Sequence, residues 1–188
     1  YDEFLAILKS IHKIDVDTSD WSTFEDKKLN FSFKYPSDKY DIKTNLATEV
    51  IYLADILISK IENKSAMAFY SHFVNYSNLP RASFEKIGGY YLEDGTYKIF
   101  YGIKEDGYKT ENVKLLDTVD SDFGKIIIID GTQFDYSKPN FGPGGSYAAV
   151  MNLPYYAYSG VAIWANDKVL PYDEFLAILK SIHKIDVD

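Results

Sequence analysis

Apolar residues along this chain follow two periods, and the clearer helical one occurs twice. In residues 172–188, Phe175, Leu176, Ile178, Leu179, Ile182 and Ile185 recur at steps of three and four. That spacing draws an apolar stripe down one face of an amphipathic helix. Pro171 suits its first turn, Asp173 and Glu174 suit the positive end of its dipole, and Lys180 and Lys184 suit the other end. Residues 1–17 repeat the stretch, YDEFLAILKSIHKIDVD, without a change, at an offset of 171 residues. Phe4, Leu5, Ile7, Leu8 and Ile11 therefore form the same stripe as Phe175, Leu176, Ile178, Leu179 and Ile182. One globular core has one groove for such a helix, so the second copy needs a separate role.

Between the copies the period is mostly two. Phe31, Phe33 and Tyr35 alternate with Ser32 and Lys34, which predicts a half-buried strand ended by Pro36. Residues 49–61 are apolar without a decisive period and fit one or two strands or a helix. Met67, Phe69, Tyr70, Phe73 and Tyr76 predict a helix over residues 65–79, stopped by Pro80. Residues 82–92 and 96–103 flank Glu93-Asp94-Gly95, the strongest hairpin signal in the chain. Asp106-Gly107 leads into a strand over 108–116. Ile126 to Ile129 predict a buried central strand over 124–130. Residues 131–146, with Pro139, Gly142, Pro143, Gly144 and Gly145, read as a long irregular loop. Strands over 146–153 and 159–165 precede the second copy of the helix. The expected fold is α+β, an antiparallel sheet with helices packed on it. The expected organisation is residues 1–17 as the terminal helix of a preceding repeat, and residues 18–188 as one domain closed by its C-terminal helix. Residues 172–188 are expected to hold the groove of their own body through the short tether 169–171, leaving residues 1–17 outside it.

Two motifs carry a resemblance. Phe31-Ser-Phe-Lys-Tyr-Pro36 resembles the opening of the bacterial relatives of the PsbP and Mog1 domains. Tyr158-Ser-Gly-Val-Ala-Ile163, followed by Tyr172-Asp-Glu-Phe-Leu-Ala-Ile-Leu-Lys-Ser181, resembles their ending. The family's usual Trp after the Tyr-Pro pair is absent, and Tyr40 takes that place. The resemblance implies a PsbP/Mog1-like α/β/α sandwich, of a kind found in exported bacterial lipoproteins and surface proteins. That family has no shared catalytic set, so no site residue follows from it.

Composition narrows the function further. The net charge of −8 argues against nucleic acid and anionic membrane surfaces, and Arg81 is the sole arginine among 20 basic residues. No run approaches a membrane span. The absence of cysteine excludes disulfides and thiolate chemistry. His72 is the only histidine between the copies, no nucleophile elbow is present, and Gly142-Pro-Gly-Gly-Ser146 precedes a strand where a phosphate loop would precede a helix. These features predict a protein that is not an enzyme and needs no cofactor. Asp15, Asp17 and Asp20 offer hard oxygens for a weak calcium site at the linker, but the Gly and distal Glu of an EF-hand are missing and a solvated acidic turn is the plainer reading. Asp117, Asp120 and Asp122 form a similar group. Phe134, Tyr136 and Phe141 in the Gly/Pro loop, with Tyr155, Tyr156 and Tyr158, are candidate ligand contacts, against packing as a strand-end cluster. The chain opens at Tyr1 with neither methionine nor signal sequence and reads as a segment of a longer protein.

The expected function is a non-enzymatic, exported tandem-repeat module on a bacterial surface. It would build a stalk or filament by helix-mediated joining between repeats or subunits, with neighbouring copies of itself as partners. A designed chain, with two helix copies competing for one groove, and a glycan- or small-ligand-binding surface domain are the alternatives.

Overall fold

A computed structural model describes residues 16–27, 30–44, 56–60, 64–71, 87–101, 109–131, 147–152 and 160–185. Within them lie thirteen strands and one helix. The strands are β1 (Ser22–Asp26), β2 (Phe31–Tyr35), β3 (Tyr40–Thr44), β4 (Ile56–Lys60), β5 (Lys64–Ser71), β6 (Ile87–Glu93), β7 (Thr96–Tyr101), β8 (Lys109–Asn112), β9 (Leu115–Ser121), β10 (Gly124–Asp130), β11 (Tyr147–Asn152), β12 (Gly160–Ala165) and β13 (His183–Lys184). The helix, α1 (Tyr172–Lys180), precedes β13.

The main sheet has seven strands in the order β3-β4-β5-β12-β11-β10-β9, all antiparallel. It is two meanders zipped together where β5 pairs with β12. Between the meanders the chain leaves to form a three-stranded sheet, β6-β7-β8. A third sheet, in the order β1-β2-β13, joins the two ends of the described chain.

The isoleucine run shows how the layers are arranged. Side chains alternate across a strand. Ile126 and Ile128 enter one core, with Phe31, Phe33, Phe69, Phe175 and Ile178. Ile127 and Ile129 enter the other, with Ile99, Val150 and Trp164. All four isoleucines are fully buried, so both faces of the main sheet are covered. One face carries α1 and the β1-β2-β13 sheet, and the other carries β6-β7-β8. Asn152 fastens the second of these layers. Its Oδ1 accepts from the Tyr90 N–H at 3.0 Å and its Nδ2 donates to the Tyr90 carbonyl at 3.0 Å, so the side chain imitates a strand partner.

This corrects the expected α/β/α sandwich. Strands dominate the described residues, and a second sheet stands where a helical layer was expected. The predicted helix over 65–79 fails where it can be checked. Residues 64–71 are strand β5, and 72–80 lie outside the described residues. The register slips between Ile58 and Ser59, which leaves Ala66 as an extra residue. Ala66 and Met67 therefore share a core, and period two is blurred. The Ala66 carbonyl accepts from the Asn166 N–H at 2.9 Å. The predicted strand over 108–116 is two strands in different sheets, because the chain crosses from β8 to β9 at Val113-Lys114. β10 is buried but lies second from the sheet edge, and β12 is the middle strand. The hairpin forms with Asp94 and Gly95 at positive φ, 50° and 75°, the backbone that an Asp-Gly turn supplies.

Candidate functional site

The repeated stretch is more than a helix. α1 ends at Lys180, and the chain then adds β13 to the free side of β2. The expected helix over 172–188 is thus corrected to a helix followed by a short strand. Ser181 makes the change. Its hydroxyl donates to the Ile178 carbonyl at 2.7 Å and accepts the Lys34 N–H at 2.8 Å, so it closes the helix and ties it to β2. No Gly or Pro marks this stop; the signal is a short polar side chain before Ile182, His183 and Lys184.

The segment sits in a socket built by β2 and the main sheet, whose edge strands β3 and β9 it touches. Phe175, Ile178 and Leu179 are fully buried and Ile182 nearly so, while Leu176 packs at the margin. Burying four such side chains contributes about 6–12 kcal/mol before ordering entropy is charged. Tyr147 lies 4.9 Å from Tyr172 and stacks on Phe175 at 5.9 Å, ring centre to ring centre. Glu174 accepts from the Tyr40 hydroxyl at 2.9 Å and from Lys39 Nζ at 2.6 Å. The Tyr40 hydroxyl also lies 3.2 Å from the Val169 carbonyl. Ser32 is buried under His183, whose Nε2 lies 2.9 Å from its hydroxyl. His183 Nδ1 lies 2.9 Å from the Ser181 carbonyl. A carbonyl only accepts, so Nδ1 carries a proton, and in the neutral ring Nε2 accepts from Ser32. The Lys184 N–H donates to Asp122 Oδ2 at 3.0 Å, and the Ile185 N–H reaches the Asn30 carbonyl at 3.4 Å.

Sequence reasoning found the stripe but missed the polar frame of Tyr40, Ser32, Asp122 and Tyr147. Tyr40 alone had a signal, its position after the Tyr-Pro pair. The others are set by pairings across the fold. Alternation with Phe31 and Phe33 puts Ser32 on the outer face of β2, where the His183 side chain of the neighbouring strand meets it.

Burial and the Glu174 carboxylate raise the Tyr40 pKa, and burial with the nearby Asp117 charge pushes that of Tyr172 up to about 12. The socket thus holds these tyrosines neutral. A raised pKa contributes stability that is complete below the unfolded value, about 10, and is lost as pH rises through the folded one. The melting temperature is therefore expected to hold up to pH 10 and to fall between pH 10 and 12, together with the rise in tyrosinate absorbance.

The other expected sites fare differently. Phe4, Leu5, Ile7, Leu8 and Ile11, His72, and the aromatic set Phe134, Tyr136, Phe141, Tyr155, Tyr156 and Tyr158 lie outside the described residues. So does Asp15, while Asp17 Oδ1 accepts the Ser19 N–H at 2.9 Å in a local turn. Asp117, Asp120 and Asp122 are not drawn together. Asp117 caps Thr118, Asp120 pairs with Lys125 at 2.7 Å, and Asp122 holds β13. Among the described residues no group of three His, Asp or Glu side chains is arranged to hold a metal ion. Among them too, no helix is long and apolar enough to cross a membrane. No protein-family model, curated protein or solved structure matches the chain. The PsbP/Mog1-like resemblance rests on the two end motifs alone.

Proposed function

We propose that the protein is a non-enzymatic joining module of a tandem array, exported to a bacterial surface and building a stalk or filament. One observation carries this reading. The C-terminal copy of the repeated stretch is a core element of the body, as a helix and a strand, and in the sequence the identical first copy leads directly into Thr18 and β1. In an array each copy would complete one body and then enter the next. The connection from β13 to the following β1 is short, so successive bodies would be held at restricted spacing.

A chain of two bodies, residues 1–188 continued by a second 18–188, tests this by small-angle scattering. A narrow distribution of distances between the bodies is expected. A distribution as broad as that of the same bodies joined by a Gly/Ser linker would remove the reading.

A further inference from the structure

β1 and β13 flank β2 on opposite sides, and both run antiparallel to it. Lys184 lies opposite Phe31, and Ser22 lies opposite Tyr35. Four residues of strand at ~3.3 Å each, and two strand spacings of ~4.8 Å, place Lys184 and Ser22 about 16 Å apart. Lys13 is the counterpart of Lys184 in the first copy. Of the nine steps from Lys13 to Ser22, three lie in the Thr18–Trp21 turn, whose ends come within ~7 Å, and the other six span about 20 Å when extended. A segment seated with Lys13 in the place of Lys184 reaches β1 of the same body by passing over β2, which lies between the two positions.

We propose that residues 1–14 also close their own body, in the socket that residues 172–185 fill, so that the body has two closures supplied from opposite ends of the chain. The inference rests on the joining role above and deepens it. In an array, each copy would be contested by two sockets, that of the body before it and that of the body after it.

The contacts favour neither copy. Glu3, Phe4, Ile7, Ser10, Ile11 and His12 repeat Glu174, Phe175, Ile178, Ser181, Ile182 and His183. In the socket Glu174 meets Tyr40, Ser181 meets Lys34 and His183 meets Ser32, and the first copy would bring the same three groups. Only the attachments differ. The C-terminal copy follows a pinned connection. Asn166 bonds to Ala66, Val169 and Leu170 bond back to Asn166, and Phe175 bonds to Pro171. Leu170 is itself buried. The linker ahead of β1 carries local bonds, from Trp21 to Thr18 and from Ser19 to Asp17. Closure by the C-terminal copy is therefore the major state, and closure by the N-terminal copy a minor one set by effective concentration. One chain has two copies and one socket, so exchange between chains fills no additional socket. Self-closure meets no penalty from mass action.

The full-length protein tests this with charged substitutions in the stripes. Phe175→Asp with Leu179→Asp disables the C-terminal copy. That variant is expected to remain folded and monomeric at every concentration, with a melting point within about 10 °C of the parent. Phe4→Asp with Leu8→Asp is expected to change nothing, and the fourfold variant to unfold. If the first variant folds only as assemblies that grow with concentration, the N-terminal copy reaches a neighbour's socket and not its own; self-closure is then overturned while joining stands. If it does not fold at any concentration, self-closure is overturned and joining is decided by the two-body scattering. A folded fourfold variant would show that the socket needs no copy, and would also overturn the inference.

Discussion

Ile127→Asp is expected to unfold the protein at neutral pH. Ile127 is fully buried on the face of β10 that meets the β6-β7-β8 layer, with Ile99, Val150 and Trp164 in the same core. An unpaired carboxylate there loses its hydration and gains no cation, a cost of several kcal/mol. The apolar contacts of the isoleucine are lost as well. Native stability is typically about 5–15 kcal/mol, so the two losses together consume most or all of it. The same change at Ile128 is expected to be as severe, because that side chain faces the opposite core. Lys125→Gln, at an exposed position of the same strand, is expected to stay within about 0.5 kcal/mol of the parent. Circular dichroism and urea titration check all three. Tolerance of Asp at 127 with intolerance at 128 would mean that only one face of the main sheet is covered.

Phe33→Ala is the second large effect. Phe33 is fully buried, with Phe69 stacked at 5.0 Å and Phe24 at 5.2 Å. Phe31 and Tyr35 complete the cluster, at 6.2 and 6.4 Å. Removing an aromatic ring from such a core costs about 3–5 kcal/mol through lost transfer energy and the cavity left behind. For a chain of this size the melting point is expected to fall by about 6–20 °C. The change also loosens β2, the strand to which β13 adds. Hydrogen exchange at the Lys34 N–H, which donates to Ser181, is expected to accelerate more than exchange in β10. Leu92→Ala, at a side chain 59% exposed, is expected to leave the melting point unchanged.

Local signals were legible in the sequence where the physics is local. The Asp94-Gly95 turn, the strand at Phe31–Tyr35 and the burial of the four isoleucines follow from backbone preference and alternation, and the structure contains them. The α/β/α expectation failed because helices and a second sheet cover an apolar face equally well, and the pattern of the covered sheet is the same in both cases. Met67 and Phe69 fit period two, while Met67 and Tyr70 fit a helix, so the apparent helix over 65–79 rested on residues that satisfy both. The bulge at Ala66 removed the remaining contrast. In the candidate site, the apolar stripe of α1 was legible and its end was not. Ser181 stops the helix by bonding to Lys34, which is distant in sequence and invisible to any local window. Asp122 read as part of an acidic cluster, whereas its role depends on a pairing between chain segments 62 residues apart.

The central claim is that one socket accepts the repeated segment from either end of the chain. A single trapping measurement tests it. The protein has no cysteine, and Ser32 lies directly opposite His183 across the β2–β13 pair. Neighbouring cross-strand positions bring Cα atoms to about 4.5–5.5 Å, within bridging range. A full-length chain carrying Ser32→Cys, His12→Cys and His183→Cys, equilibrated in a thiol–disulfide buffer, has one partner at position 32 and two competitors for it. The account predicts both bridges within monomers, 32–183 in the majority and 32–12 in a measurable minority, read by mass mapping of the cleaved chain. A 32–183 bridge alone, after repeated unfolding and refolding in the same buffer, would contradict it.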